Sequence, residues 1–83
     1  MLRREISVDG HDRVIRYNLA YINHSIYDGD NGRVLGYDSA HGYHHRHCRG
    51  QVTMVRAKSF EQIEARCQKE WHQLVKEIRR AAH

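Results

Sequence analysis

The chain has no proline among its 83 residues, two cysteines, and only one phenylalanine and one tryptophan. It also has no apolar run near the ~20 residues needed to cross a bilayer as a helix. Each scarcity excludes a class. Two cysteines outside a CxxC pair, Cys48 and Cys67, do not make a disulfide scaffold, and free thiols suit a reducing compartment. The absence of proline, with 40% apolar residues, argues against a linker or a low-complexity tail. After Met1-Leu2-Arg3-Arg4-Glu5 comes a short polar strand rather than an apolar signal region, so a cytoplasmic protein with no membrane association is expected. A chain of this length is expected to form one domain over residues 1–83 and to bury roughly 60–65% of its unfolded surface. So small a core benefits from a partner, and a homodimer or a protein complex is expected to reinforce it.

What the chain does have is histidine. Four of its eight histidines lie in His41-Gly42-Tyr43-His44-His45-Arg46-His47. Packing does not call for that density, whereas proton transfer near neutral pH and metal ligation both use imidazole. Charge gathers in the same place. The net charge is +4, and residues 41–58 carry Arg46, Arg49, Arg56 and Lys58 with no acid among them. A polyanion is the natural partner of such a stretch, and nucleic acid is the commonest polyanion.

Hydrophobic alternation predicts the scaffold. Glu5-Ile6-Ser7-Val8 reads as a strand running into the turn dipeptide Asp9-Gly10. From Arg13 to Asn23 the odd positions Ile15, Tyr17, Leu19 and Tyr21 form a core face. Asp28-Gly29-Asp30-Asn31-Gly32 is a turn-rich loop. Its Asp-x-Asp-x-Gly order is not completed as a calcium loop, because Arg33, Val34 and Leu35 follow and no glutamate closes it. Arg33 to Asp38 gives a third strand, in which Gly36 marks a bulge or a close approach of another backbone. His41-Gly42 turns the chain, His44 to Cys48 returns, Arg49-Gly50 turns again, and Gln51-Val52-Thr53-Met54-Val55 forms a last strand.

Ser59-Phe60-Glu61-Gln62 is a capping box for a helix ending near Ala81. Its apolar stripe is Phe60, Ile63, Cys67, Trp71, Leu74, Val75 and Ile78. The predicted fold is α+β: an antiparallel β-sheet of four to five strands with one long C-terminal α-helix packed on a face.

On a strand from His44 to Cys48, His45 and His47 share one face, near Asp38, while His44 and Arg46 take the other. Three uses of the cluster are open. His45 and His47 can share acid–base work on RNA, with arginines holding phosphate. His41, His45 and His47 with an aspartate or cysteine can bind zinc. Or the histidines decorate a basic docking surface of a binding module without catalysis. Tyr43 is the aromatic best placed to stack on a base.

The run Gly36-Tyr37-Asp38-Ser39-Ala40-His41-Gly42, continued by His45-Arg46-His47, resembles the signature of TumE-type toxins of bacterial toxin–antitoxin pairs. The Arg16-Tyr17-x-Leu19-Ala20-Tyr21 strand and the Ser59-Phe60 helix start are similar too, so the resemblance covers residues 13 to 78. Ser39 stands where the family usually has asparagine, and His44 and Cys48 are peculiar to this chain. The resemblance implies a growth-inhibiting toxin that acts on RNA and is neutralised by a cognate helix-turn-helix antitoxin. Together with the residue chemistry, it gives the expected site: His45, His47, His41 and Asp38 catalytic; Arg46, Arg49, Tyr43, Arg56 and Lys58 binding nucleic acid; and no cofactor or metal.

Overall fold

Asp9 sets the first turn. Its Oδ1 accepts the backbone N–H of His11 (2.8 Å) and of Arg13 (3.1 Å), and these bonds hold its carboxyl below the usual carboxylate range. That turn joins β1 (Leu2–Val8) to β2 (Val14–Ile22) in the computed structural model, which describes residues 1–40 and 42–81. A short 3₁₀ turn, Asp30–Gly32, leads into β3 (Arg33–Ala40), followed by β4 (Tyr43–Cys48), β5 (Gln51–Val55) and α1 (Phe60–Ala81). The strands form one antiparallel sheet in the order β1-β2-β3-β4-β5, and α1 lies across β2 and β3. The fold is α+β, with a single layer of sheet under one long helix.

The β4–β5 turn is Arg49-Gly50, with φ of 46° and 82°. Two left-handed residues in succession are what a tight antiparallel hairpin needs. At the helix start, Ser59 Oγ accepts the N–H of Gln62 (3.3 Å). The return bond differs by one residue from the expected box: Gln62 Oε1 accepts the N–H of Lys58, not that of Ser59.

The core is Tyr17, Leu19, Leu35 and Tyr37 from the sheet against Phe60, Ile63 and Cys67 from the helix. Trp71 and Leu74 continue the stripe half-buried, and Trp71 meets the Tyr21 ring edge-on. Burial of side chains as complete as Ile63 contributes about 1.5–3 kcal/mol each. One expected core residue is displaced. Val8 pairs with Val14 and Ser7 with Arg16, so Ile15 falls in the bulge between them and is 64% exposed. Val14 packs against the core instead.

A second bulge matters more for function. Tyr21 pairs with Leu35 and Ile22 with Arg33, leaving Val34 as the extra residue. Uninterrupted alternation would send Arg33 to the helix side with Leu35 and Tyr37. The bulge reverses it and puts Arg33 on the face that the helix leaves open.

Candidate acid–base site on the open sheet face

The pleat sorts the histidine cluster into two groups with different tasks. His44 and Arg46 face the helix. The Tyr17 phenol, pushed up to about 12 by burial and the nearby Asp38 charge, shares a hydrogen bond with Nδ1 of His44 at 2.6 Å. Ser39 supports the same corner, its Oγ accepting the N–H of Tyr17 at 3.0 Å. Arg46 is held by Glu70 of α1, with Nε 3.1 Å from each carboxylate oxygen and Nη2 2.5 Å from Oε2. Tyr37 donates its hydroxyl to the same carboxylate. Burial pushes Glu70 up, but the bonds from Arg46 and Tyr37 outweigh it and hold the carboxyl below its ordinary range. Arg46 therefore clamps the helix to the sheet, on the side opposite His45 and His47.

The open face carries Asp38, His45, His47 and Arg33. Register places Asp38 opposite His45 and Gly36 opposite His47. The Asp38 carboxylate sits between the two rings: Oδ2 is 2.8 Å from Nε2 of His47, and Oδ1 is 3.7 Å from Nδ1 of His45. The His47 contact is short but poorly aligned, so attraction of charge and dipole, more than a directed hydrogen bond, holds it. Nδ1 of His45 is buried and has no hydrogen-bond partner among the described residues.

Arg33 closes the group. Its Nε donates to Asp30 (2.8 Å), Nη1 reaches Asp38 (3.5 Å) and Nη2 meets Nδ1 of His47 (2.9 Å). A guanidinium has only donors, so Nδ1 of His47 must accept. This partner assigns the ring's proton to Nε2, the nitrogen facing Asp38. Nδ1 of His47 is thus taken by Arg33, while Nε2 lies close to Asp38 without an aligned hydrogen bond. Gly36 makes room for the crossing: a Cβ there would stand 2.7 Å from Cδ of Arg33 and 2.9 Å from the Leu19 carbonyl oxygen. The close approach expected at Gly36 is therefore that of a side chain as well as a neighbouring strand.

Among the described residues, no three His, Cys, Asp or Glu side chains group so as to hold a metal ion. A cation, Arg33, already stands against both Asp38 and His47. His41, expected in the site, lies outside the described residues.

The expected phosphate-binding cations fall in two settings. Besides Arg46, which is bound to Glu70, Arg49 lies in the β4–β5 turn and Arg56 and Lys58 follow β5, all three exposed. Tyr43 opens β4 and is 59% exposed. The depressions flanking Asp38 are lined instead by Arg16 and Asn18 on one side and by Arg3, Asn18 and Arg33 on the other. Arg33 was legible in the sequence only as a strand start. Finding it required the Val34 bulge, and Gly36 was the available sign.

No protein-family model matches the chain, and comparison with curated proteins and with solved structures returns no match. The chemistry of the site rests on its own geometry. Among the described residues, no helix is long and apolar enough to cross a membrane.

Proposed function

We propose that the protein cuts RNA by acid–base chemistry on the open sheet face, as the toxin half of a bacterial toxin–antitoxin pair. One observation carries this: an Asp38 carboxylate set between two imidazoles, with a guanidinium on its flank. Cleavage through the ribose 2′-hydroxyl needs a group to take its proton and positive charge to steady the crowded phosphate.

The roles divide unequally. His45 is the proton acceptor. Its Nδ1 faces Asp38 across 3.7 Å, and that carboxylate stabilises the ring once it is charged. The 2′ proton passes to Nε2, the 2′ oxygen bonds to phosphorus, and the bond to the 5′ oxygen breaks. That oxygen takes a proton from water, leaving a cyclic phosphate and a 5′-hydroxyl. Arg33 spends three N–H groups on Asp30, Asp38 and His47, and the remaining two of its five are available to phosphate oxygens. His47, with Nδ1 taken by Arg33 and Nε2 beside Asp38, is a positioning residue for that pair. Arg16 and Arg3 suit the flanking phosphates.

The test is cleavage of labelled RNA by purified protein, with and without a chelator, beside growth arrest on expression. His45→Ala is expected to lower cleavage by about 10²–10⁴-fold and to abolish growth arrest with little change in stability. Chelator is expected to have no effect. Full toxicity in both His45→Ala and His47→Ala rules out the assignment. RNA that is bound but left intact indicates a non-catalytic binding module.

A further inference from the structure

The two edges of the sheet are built differently. On β1, Arg3, Arg4 and Glu5 put three charges in the middle of the strand, a usual defence against unwanted strand pairing. On β5, Gln51-Val52-Thr53-Met54-Val55 has no charge and no proline, is β-branched at three of its five positions, and carries Val52 57% and Met54 66% exposed. No described element pairs with its outer side. Open backbone groups and apolar side chains without a guard are what an added strand needs.

Charge decides the occupant. Arg49 precedes β5 and Arg56 and Lys58 follow it, with no acid anywhere between Asp38 and Glu61. In a second copy paired antiparallel about Thr53, Arg49 of each chain would approach Arg56 and Lys58 of the other, setting like charges together at both ends. An extended segment with apolar residues in the middle and acids at its ends meets the opposite situation: main-chain bonds to the edge, apolar contact with Val52 and Met54, and opposite charge at both termini.

We propose that the outer edge of β5 receives such a segment, an extended acidic-ended strand of a partner protein, as a sixth strand. The register fixes where the segment stands. Met54 lies opposite His45 and Val52 opposite His47, so β5 separates the added strand from the two histidines by two strand spacings, about 10 Å. The binding does not depend on the RNA-cleaving function proposed above.

The test uses the full chain and a synthetic peptide of alternating isoleucine and threonine with two glutamates at each end. Its counterpart carries lysines in place of the glutamates. Amide NMR and hydrogen exchange follow the protein, and calorimetry gives affinities. The acidic peptide is expected to shift and protect the amides of residues 51–55, to bind at least about tenfold tighter than the lysine peptide, and to lose at least that factor with Met54→Lys. The double variant Arg56→Glu with Lys58→Glu is expected to narrow or reverse the preference. Both substituted regions are exposed, and circular dichroism confirms that the variants fold. Equal binding of the two peptides overturns the proposal, as does protection at β1 instead of β5. So does protection of β5 by the protein's own self-association, or shifts at β5 produced by a single-stranded RNA oligomer and not by the acidic peptide. Loss of RNA cleavage in His45→Ala with unchanged peptide binding separates this surface from the catalytic function.

Discussion

Arg33 meets Nδ1 of His47 at 2.9 Å, and this contact decides which nitrogen of the ring holds the proton. Because a guanidinium cannot accept, the proton lies on Nε2, 2.8 Å from Asp38. Long-range ¹⁵N–¹H correlations of the His47 ring are therefore expected to show a protonated Nε2 and a bare Nδ1 at neutral pH. In Arg33→Met that signature is expected to disappear and RNA cleavage to fall by about 10²–10³-fold, the range for loss of one preorganised charge-stabilising donor. Unaltered ring signals in Arg33→Met show that the contact does not set the proton.

Gly36 is expected to be as sensitive as a catalytic residue although it has no side chain. An alanine Cβ there meets Arg33 at 2.7 Å and the Leu19 carbonyl at 2.9 Å, and the latter is backbone that cannot swing aside. Gly36→Ala should displace Arg33 from Asp38 and His47, reducing cleavage while also destabilising the β2–β3 pairing by about 1–3 kcal/mol. Urea denaturation and the cleavage assay measure the two effects. A fully active, fully stable Gly36→Ala contradicts the described crossing.

Glu70 predicts a pH signature. Its folded carboxyl titrates below the ordinary value of 4.5, so the ion pair with Arg46 stabilises the fold above that value and is lost as pH falls through the lowered one. Glu70→Gln should cost about 1–3 kcal/mol near pH 7, because Arg46 and the Tyr37 hydroxyl lose their charged partner. The gap between wild type and variant should close as the solution is acidified below 4.5. Denaturant titrations at a series of pH values measure it, and a gap independent of pH refutes the role.

Cys67 packs on the helix stripe, 4% exposed, and burial pushes its thiol up to about 11. Iodoacetamide at mildly alkaline pH should leave it unmodified in the folded protein and modify it once urea is added. Mass spectrometry of tryptic peptides distinguishes it from Cys48, which is partly exposed. Rapid modification of Cys67 without denaturant means that the helix does not stay docked on the sheet.

The sequence by itself determined the elements and their faces wherever periodicity ran unbroken. The helix from Phe60 with its stripe, the strand partition of His45 and His47 from His44 and Arg46, and the turns at Asp9-Gly10 and Arg49-Gly50 all follow from local preferences that the fold keeps. Tertiary structure decided what local pattern cannot encode. Two bulges, each one extra residue against a neighbouring strand, sent Ile15 out of the core and Arg33 onto the open face. A single inserted residue inverts every side chain beyond it, and the insertion is a property of the pairing rather than of either strand alone. Partners distant in the chain are settled the same way. Arg46 looked like a phosphate ligand by charge until Glu70, 24 residues on, stood against it, and Asp38 became a bridge only when the β3–β4 register set it opposite His45.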